Sequence, residues 1–446
     1  MSLNRRILGV AIPSIVGFLG LILFETADIY WIGKLSSEAV AAVGAAAFLE
    51  WLVYDLMTVT STGCGTLVSQ FYGAGNDERF DVVRESFWLS LLISGVLMAI
   101  LFLTAPVIFT FMGLAGGPHQ LAMEYFTVFI IGFPILYIMM IQGQVFTSYG
   151  DARARTVVML GIVVLNIVLD PCLIFGWGVF PRCGVRGAAI ATVSSQAVGI
   201  VVYHLVLTKR GYIPRLASLF KLSSRHFGRI LKIGGPTATT NVVWTVVFPL
   251  LTPIVTAFGT EPLAGLAIGS RIEGFPFYFG LGFSLAVATL VGQSYGRGDK
   301  AEVRRIARRG TLLITLILAP VSLAFIFMPE RLVGILNRDP AVIAAGADYL
   351  RIVGYFELFL GWELVLEGAF NGLGNTRPYM WIRVPLTLAR IPLAYLLAFT
   401  FNVGVSGVWW AISISTLLKG ILVTIAFVTN KKNRELLSPS PSPAGP

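Results

Sequence analysis

Charged side chains are scarce in this sequence. Asp, Glu, Lys and Arg make up 13% of its 446 residues, whereas 56% of the residues are hydrophobic. An average soluble domain has about 25% charged residues. Long stretches with almost no charge recur along the chain, each able to cross about 30 Å of hydrocarbon as a helix. The composition excludes a soluble globular protein and predicts an all-α integral membrane protein.

Cysteine and histidine are also rare, with three residues of each. The cysteines have no paired spacing, and the histidines are scattered along the chain. Neither set resembles the ligand spacing of a metal site. We therefore expect no metal, no cofactor and no disulfide framework.

Two motifs that bind phosphate groups are missing. The chain has no Gly-x-x-x-x-Gly-Lys-Ser/Thr segment, which argues against transport driven by nucleotide hydrolysis. It also has no Asp-Asp-x-x-Asp motif, which an integral-membrane transferase would need to hold magnesium and pyrophosphate. The sequence therefore predicts a protein that is not an enzyme.

What the chain has instead is a series of apolar segments. We expect twelve transmembrane helices. Their approximate ranges are 7–33, 43–71, 85–113, 121–148, 155–177, 185–207, 229–258, 263–294, 306–328, 343–371, 379–401 and 405–429.

The two halves of the chain repeat each other. Residues 66–77 and 289–300 are identical at seven of twelve positions, with a shift of 223 residues. Six helices return a chain to its starting side, so the copies are predicted to be parallel repeats. We expect an N-terminal lobe (1–207), a basic cytoplasmic linker (208–232), a C-terminal lobe (233–430) and a disordered cytoplasmic tail (431–446).

The net charge of +10 is distributed by loop, which argues against nucleic-acid binding. Most basic residues fall in loops on the side of the two termini, and the opposite loops hold five: Lys34, Arg182, Arg186, Arg331 and Arg338. The positive-inside rule then places both termini in the cytoplasm, in a multi-pass protein of the cell membrane.

Acidic residues inside apolar helices are the main candidates for function, because an ionised group at mid-bilayer costs about 2.5–3.5 kcal/mol on insertion scales. Asp28 lies in the first expected helix and Asp170 in the fifth. Asn166 shares a helix face with Asp170, four residues away. A carboxyl pair in such a cavity can exchange a proton near neutral pH, which a coupling-ion site requires.

Several other residues are weaker candidates. Further acids expected at the cavity are Glu25, Glu50, Asp55 and Glu273. In the second lobe, Glu363 and Glu367 share a helix face, and nearby arginines could neutralise them. Pro13 interrupts the first helix early and is a candidate hinge, because proline removes a backbone donor.

Together these segments resemble the multidrug and toxic compound extrusion (MATE) family. The resemblance covers nearly the whole chain and rests on Pro13, Asp28 and Gly33, and on the segments 67–75 (LVSQFYGAG), 166–171 (NIVLDP), 184–192 (GVRGAAIAT) and 290–293 (LVGQ). It implies twelve helices in two six-helix lobes that form a V around a central cavity. It also implies that Asp28 and Asp170 are the paired acids of the proton-coupled branch, with Asn166 and Thr192 in their hydrogen-bond network.

The resemblance leaves three functions open. The first is antiport of amphipathic, often cationic, organic compounds against protons. The second is the same export coupled to sodium, although the sodium branch carries a Glu in the seventh helix, where residues 241–256 contain no acid. The third is flipping of a lipid-linked oligosaccharide or peptidoglycan precursor. We expect small organic substrates and membrane lipid as the partners of a monomer, with no obligate protein partner.

Overall fold

The computed structural model describes residues 2–213 and 223–430 together with Asn433. Within these ranges the chain is helical and has no strand. The first six helices are α1 (Leu3–Gly33), α2 (Ser37–Gly73), α3 (Glu78–Phe111), α4 (Gly116–Ser148), α5 (Ala152–Phe175) and α6 (Val185–Lys209). The next six are α7 (Phe227–Thr256), α8 (Thr260–Gly296), α9 (Lys300–Phe327), α10 (Pro329–Gly334), α11 (Pro340–Gly354) and α12 (Glu357–Leu373). The last are α13 (Arg377–Leu388), α14 (Arg390–Tyr395), a π-helical turn (Leu396–Thr400) and α15 (Ser406–Thr429).

Eleven helical segments of the described chain are long and apolar enough to cross a membrane. They correspond to every expected span except 343–371, which the structure divides into α11 and α12 at Tyr355 and Phe356. With this interrupted segment the twelve-span prediction is confirmed in outline, and the protein is a multi-pass membrane protein. The short helix α10 was not expected.

Two expected spans are interrupted where a backbone hydrogen bond is diverted or lost. The Ser322 hydroxyl in α9 donates to the carbonyl of Gly354, the last residue of α11. The span 379–401 changes from α13 to α14 and then to a π-helical turn. Pro392 cannot donate a backbone hydrogen bond, so the α-helical pattern is broken close to Ala389. Both segments are therefore interrupted helices within the predicted spans.

The duplicated motif ends a helix in both copies. Gly75 follows the end of α2 with φ +66°, and Gly298 follows the end of α8 with φ +78°. These left-handed conformations favour glycine because a Cβ atom would be strained there. The duplicated segment therefore ends a helix with a glycine in both copies.

The described chain forms two compact units. The C-terminal unit contains 236–430 and Asn433, and also 2–15 and 73–75. The N-terminal unit contains 16–72, 76–213 and 223–235. The first turns of α1 therefore belong to the C-terminal unit and the rest of α1 to the N-terminal unit. The first turns of α7 belong to the N-terminal unit and the rest of α7 to the C-terminal unit. The changes of unit inside α1 and at the start of α7 occur close to a proline, Pro13 in α1 and Pro236 in α7.

Part of the predicted linker and most of the predicted tail lie outside the described residues. The linker is described at 208–213 and 223–232. Of the tail 431–446, only Asn433 is described; it is buried and accepts a hydrogen bond from the Asn375 amide at 2.7 Å. The lobe boundaries and the disorder of the tail stay predictions.

Carboxylates hold the first turns of α7 and α1 in their units. In the N-terminal unit, the fully buried Glu85 of α3 accepts hydrogen bonds from the Ser223 hydroxyl and the His226 backbone N–H, each at 2.5 Å. The His226 Nε2 atom lies 3.2 Å from Glu78. In the C-terminal unit, Arg6 lies 2.5 Å from Glu302 of α9. Glu85 stabilises the start of α7, because the first N–H groups of a helix lack partners within the helix.

Two adjacent glycines in α7 give a matched test of this packing. A Cβ atom on Gly234 would lie 1.7 Å from the Val59 carbonyl oxygen, whereas one on Gly235 would meet nothing within 4 Å. We expect Gly234→Ala to lower the free energy of unfolding by about 3 kcal/mol, the upper part of the usual range for overpacking. Gly235→Ala should be neutral or slightly stabilising. Thermal unfolding of the two purified variants in detergent checks this, and equal stability would contradict the packing of α7 against α2.

Candidate functional site

A buried acid pair lies in the N-terminal unit. Asp28 of α1 is 7% exposed and Asp170 of α5 is fully buried. The two carboxyl groups are neighbours, and one amide nitrogen, that of Asn166, lies within 3.3 Å of both. Two neighbouring carboxyl groups can bond to each other only if one of them carries a proton, since two ionised carboxylates are both acceptors and repel. The pair can therefore hold and release one proton as a unit.

Asn166 connects the two acids. The neighbours of its amide determine which way the group points: the nitrogen lies 3.2 Å from Asp28 Oδ1 and 3.3 Å from Asp170 Oδ2, and the oxygen accepts from the Thr192 backbone N–H at 3.2 Å. Asn166 is fully buried and Thr192 is 3% exposed. One amide thus donates to both acids while α6 fixes its oxygen. The structure brings together the four residues that the sequence singled out: Asp28, Asn166, Asp170 and Thr192.

Local sequence explains how α5 presents this site. Asn166 and Asp170 are one turn apart on the same face of α5. Pro171 follows directly inside the helix and cannot donate to the carbonyl of Ile167. The backbone beside the acid pair therefore retains an acceptor that the helix does not use.

Two of the weaker candidates lie near the pair. Glu25 and Glu50 both interact electrostatically with Asp28. Glu25 is exposed, whereas Glu50 in α2 is half-buried and contacts the buried Tyr125 hydroxyl. One Glu50 oxygen, Oε1, is buried without a hydrogen-bond partner. The surroundings of the pair are therefore acidic, which favours a cationic occupant.

Two further candidates are Asp55 and Pro13. Asp55 is half-buried in α2, and its role stays a prediction. Pro13 lies inside α1, which continues through it from Leu3 to Gly33, two residues before the chain changes units. A hinge at Pro13 agrees with that position and also stays a prediction.

Glu273 belongs to the C-terminal unit and has its own set of neighbours. The Tyr349 hydroxyl donates to its carboxylate. Glu273 and Glu357 line one small cavity with Ser413 and Thr416. Glu357 is 1% exposed, and both of its carboxylate oxygens and the Ser413 hydroxyl are buried without a hydrogen-bond partner. Buried oxygens without partners are uncommon, so this cavity can accept a proton, a water molecule or a small cation.

The remaining buried acids of this unit are neutralised. Glu367 accepts from Arg383 at 3.0 Å and from the Tyr379 hydroxyl at 2.8 Å. Glu363 lies 3.2 Å from the Lys419 ammonium and 3.5 Å from Arg383. The expectation that nearby arginines neutralise these acids is confirmed for Arg383. Arg390 is also buried and interacts electrostatically with Glu363, so three bases surround these two acids. The surroundings of Glu363 and Glu367 therefore do not favour a further cation.

Several neighbours of these acids could not be identified from the sequence. Tyr125 lies in an apolar segment, and no sequence pattern indicates that it contacts Glu50. Lys419 is the one lysine in the last expected span, and a lone lysine in an apolar helix indicates a buried acidic partner. Ser413 carries no such indication, because serine is common in membrane helices.

Comparison with known proteins places the chain in a family. The MatE family profile matches residues 13–172 and again residues 236–396. The two matches start 223 residues apart, which confirms the internal duplication. A probable multidrug resistance protein NorM of Thermotoga maritima is 30% identical over 96% of this chain and 93% of its own length. An FAD transporter of Shewanella oneidensis is 24% identical over 94% of this chain and 93% of its own.

A solved structure agrees with the fold. The Vibrio cholerae MATE transporter VcmN, solved as a mutant, superimposes with a TM-score of 0.89 at 19% identity and covers 98% of each chain. The family profile covers more than half of the chain, and relatives align along nearly its whole length. This chain is therefore a member of the MatE family of membrane transporters.

Proposed function

We propose that this protein is a secondary active exporter that exchanges amphipathic organic cations for protons. The observation that carries the proposal is the buried pair of Asp28 and Asp170, bridged by Asn166. The pair offers one site that either a proton or a positively charged compound can neutralise. Competition between the two for one negative site couples their movements in opposite directions.

The cycle follows from the charge of the pair. With both acids ionised, their neighbourhood has the highest affinity for an organic cation. Protonation from outside gives the hydrogen-bonded, singly charged pair, which lowers that affinity and releases the cation outward. Release of the proton to the inside restores the ionised pair. The site thus alternates between two occupants as access alternates between the two sides of the membrane.

The relatives support the class of substrate. Several are named as probable multidrug resistance proteins, including the 30% identical protein of Thermotoga maritima. The named FAD transporter shows that one relative carries a dinucleotide. The acidic surroundings of Asp28, which include Glu25 and Glu50, favour cations in this chain over such an anion.

We further propose that the protein acts as a monomer in the cell membrane, with both termini in the cytoplasm. It uses no cofactor other than the coupling ion and needs no protein partner. The basic residues concentrated on the side of the termini support this orientation.

Sodium as the coupling ion is a second candidate, and one observation favours it. The cavity of Glu273 and Glu357 presents three buried oxygens without partners, two from Glu357 and one from Ser413. Carboxylate and hydroxyl oxygens suit a small hard cation. A sodium gradient alone would then drive export.

Purified protein in proteoliposomes loaded with a fluorescent cationic dye tests the proposal. We expect an imposed pH gradient, acidic on the side opposite the dye, to drive dye movement in the absence of sodium. A sodium gradient at uniform pH should have no effect. Movement driven by sodium alone would replace the proton with sodium. Dye movement under neither gradient, with transport of FAD or of a lipid-linked oligosaccharide, would contradict cation export.

A further inference from the structure

One face of the first turns of α9 carries four arginines. Arg304, Arg305, Arg308 and Arg309 are all exposed. The opposite face is apolar and buried, and consists of Val303, Ile306, Ala307 and Gly310. The four side chains therefore point away from the body of the C-terminal unit. We call these four residues the basic face.

The basic face continues directly into an apolar stripe on the same side of α9. Residues 304, 308, 312 and 316 follow one another at four-residue steps and lie in one row. Leu312 and Leu316 are 46% and 62% exposed. Exposed leucines in the middle of a membrane-spanning helix face lipid chains. Arg308 and Arg304 precede Leu312 by one and two turns, about 6 and 12 Å along the helix axis, which is the depth of the lipid headgroups.

The charge of the basic face is not neutralised by the described residues. None of the four arginines forms an ion pair within the part of the chain that the structure describes. The nearest acid in sequence, Glu302, is occupied: it accepts from Ser294 and Arg297 and pairs with Arg6. Arg304 with Arg308, and Arg305 with Arg309, are like charges at four-residue spacing, which destabilise a helix. An anion would relieve this repulsion.

The duplication provides an internal comparison. The stretch of α3 that is offset by 223 residues has Asp81, Val82, Glu85 and Ser86 at the corresponding positions. In that copy Glu85 is fully buried. The helix can therefore form without a basic face, and the fold does not require the four arginines.

We propose that the basic face is a binding site for anionic phospholipid headgroups. Guanidinium groups bind phosphate oxygens in pairs, and two parallel rows of two arginines match one phosphodiester each. The apolar stripe below would hold the acyl chains of the same lipid. This continuity selects a lipid over a soluble phosphate compound or a nucleic acid, neither of which has an apolar part that reaches Leu312.

Binding of defined lipids to the purified full-length protein tests the site. The protein is titrated in detergent with phosphatidylglycerol, with phosphatidylcholine, and with glycerol phosphate as a headgroup without acyl chains. Each basic residue near an anionic surface contributes about fivefold in affinity, so Arg308→Gln with Arg309→Gln should weaken phosphatidylglycerol binding by roughly 30-fold at low salt. The matched control is Arg331→Gln with Arg338→Gln, which removes two exposed arginines outside this face.

Three results support the proposal. Phosphatidylglycerol binds more tightly than phosphatidylcholine, and the control double variant keeps this preference. The variant with Arg308→Lys and Arg309→Lys keeps more of the preference than the variant with Arg308→Gln and Arg309→Gln. The melting temperature without lipid verifies that each variant is folded. Equal binding of the two lipids, or equal loss in the basic-face and control variants, would overturn the proposal. Tight binding of glycerol phosphate alone would assign the site to a soluble phosphate compound and also overturn it.

Discussion

Asp28→Asn is expected to reduce pH-driven dye export in proteoliposomes at least about tenfold, which corresponds to about 1.4 kcal/mol. An amide has nearly the shape of the carboxyl group but cannot bind or release the proton. It would also donate to Asp170 permanently, as the protonated acid does only in one state. Binding of the dye to the detergent-purified variant should weaken in parallel, because half of the charge of the pair is lost.

Asp170→Asn should have the same effect, since the two acids share one proton and neither can replace the other. Asp77→Asn is the matched control, because the Asp77 side chain is 79% exposed and lies outside the helices. It should export dye at the normal rate. Normal export by both Asp28→Asn and Asp170→Asn would contradict the proposed role of the pair and move the coupling site elsewhere.

Lys419→Met is expected to destabilise the C-terminal unit by about 3–5 kcal/mol. Lys419 is 2% exposed, and its ammonium group lies 3.2 Å from Glu363, which is 1% exposed. Removing the lysine takes away the base nearest to Glu363 and leaves Arg383, which Glu363 shares with Glu367, as its ion-pair partner among the described residues. The measurement is thermal unfolding in detergent, with the amount of folded protein after purification as a second readout.

A second substitution separates the charge from the packing of the lysine. Lys419→Met combined with Glu363→Gln removes both charges, and we expect it to recover most of the lost stability. Lys209→Met, at an exposed lysine near the end of α6, is the control and should be neutral. If Lys419→Met and Lys209→Met were equally stable, the network would not contribute to the stability of this unit.

Most of the candidate site in the N-terminal unit could be predicted from the sequence. Asp28 and Asp170 are conspicuous because acids are costly inside apolar helices. Asn166 follows from helical geometry, since it is four residues from Asp170. Thr192 entered through the resemblance to the family, and the structure places its backbone N–H at the Asn166 amide. The contact of Glu50 with Tyr125 joins residues 75 positions apart, so no local pattern could reveal it.

The site in the C-terminal unit was harder to predict, because a sequence does not show which buried charges are paired. Glu357, Glu363 and Glu367 look equivalent within one apolar segment. Packing places Arg383 and Lys419 next to Glu363 and Glu367, whereas Glu357 has no ion pair among the described residues. The difference between a neutralised acid and a candidate ion site is therefore decided by neighbours from other helices.

The sequence by itself determined the class of the protein, its expected membrane spans and its duplication. These features depend on composition and on periodic or repeated local patterns, and each can be recognised within a short window. The tertiary structure decided where the spans are interrupted, which acids share a proton or a base, and how the first turns of α1 and α7 are held. Those outcomes depend on backbone and side-chain contacts between residues far apart in the chain, such as Glu85 with His226 and Arg6 with Glu302. Such contacts exist only once the helices have packed together.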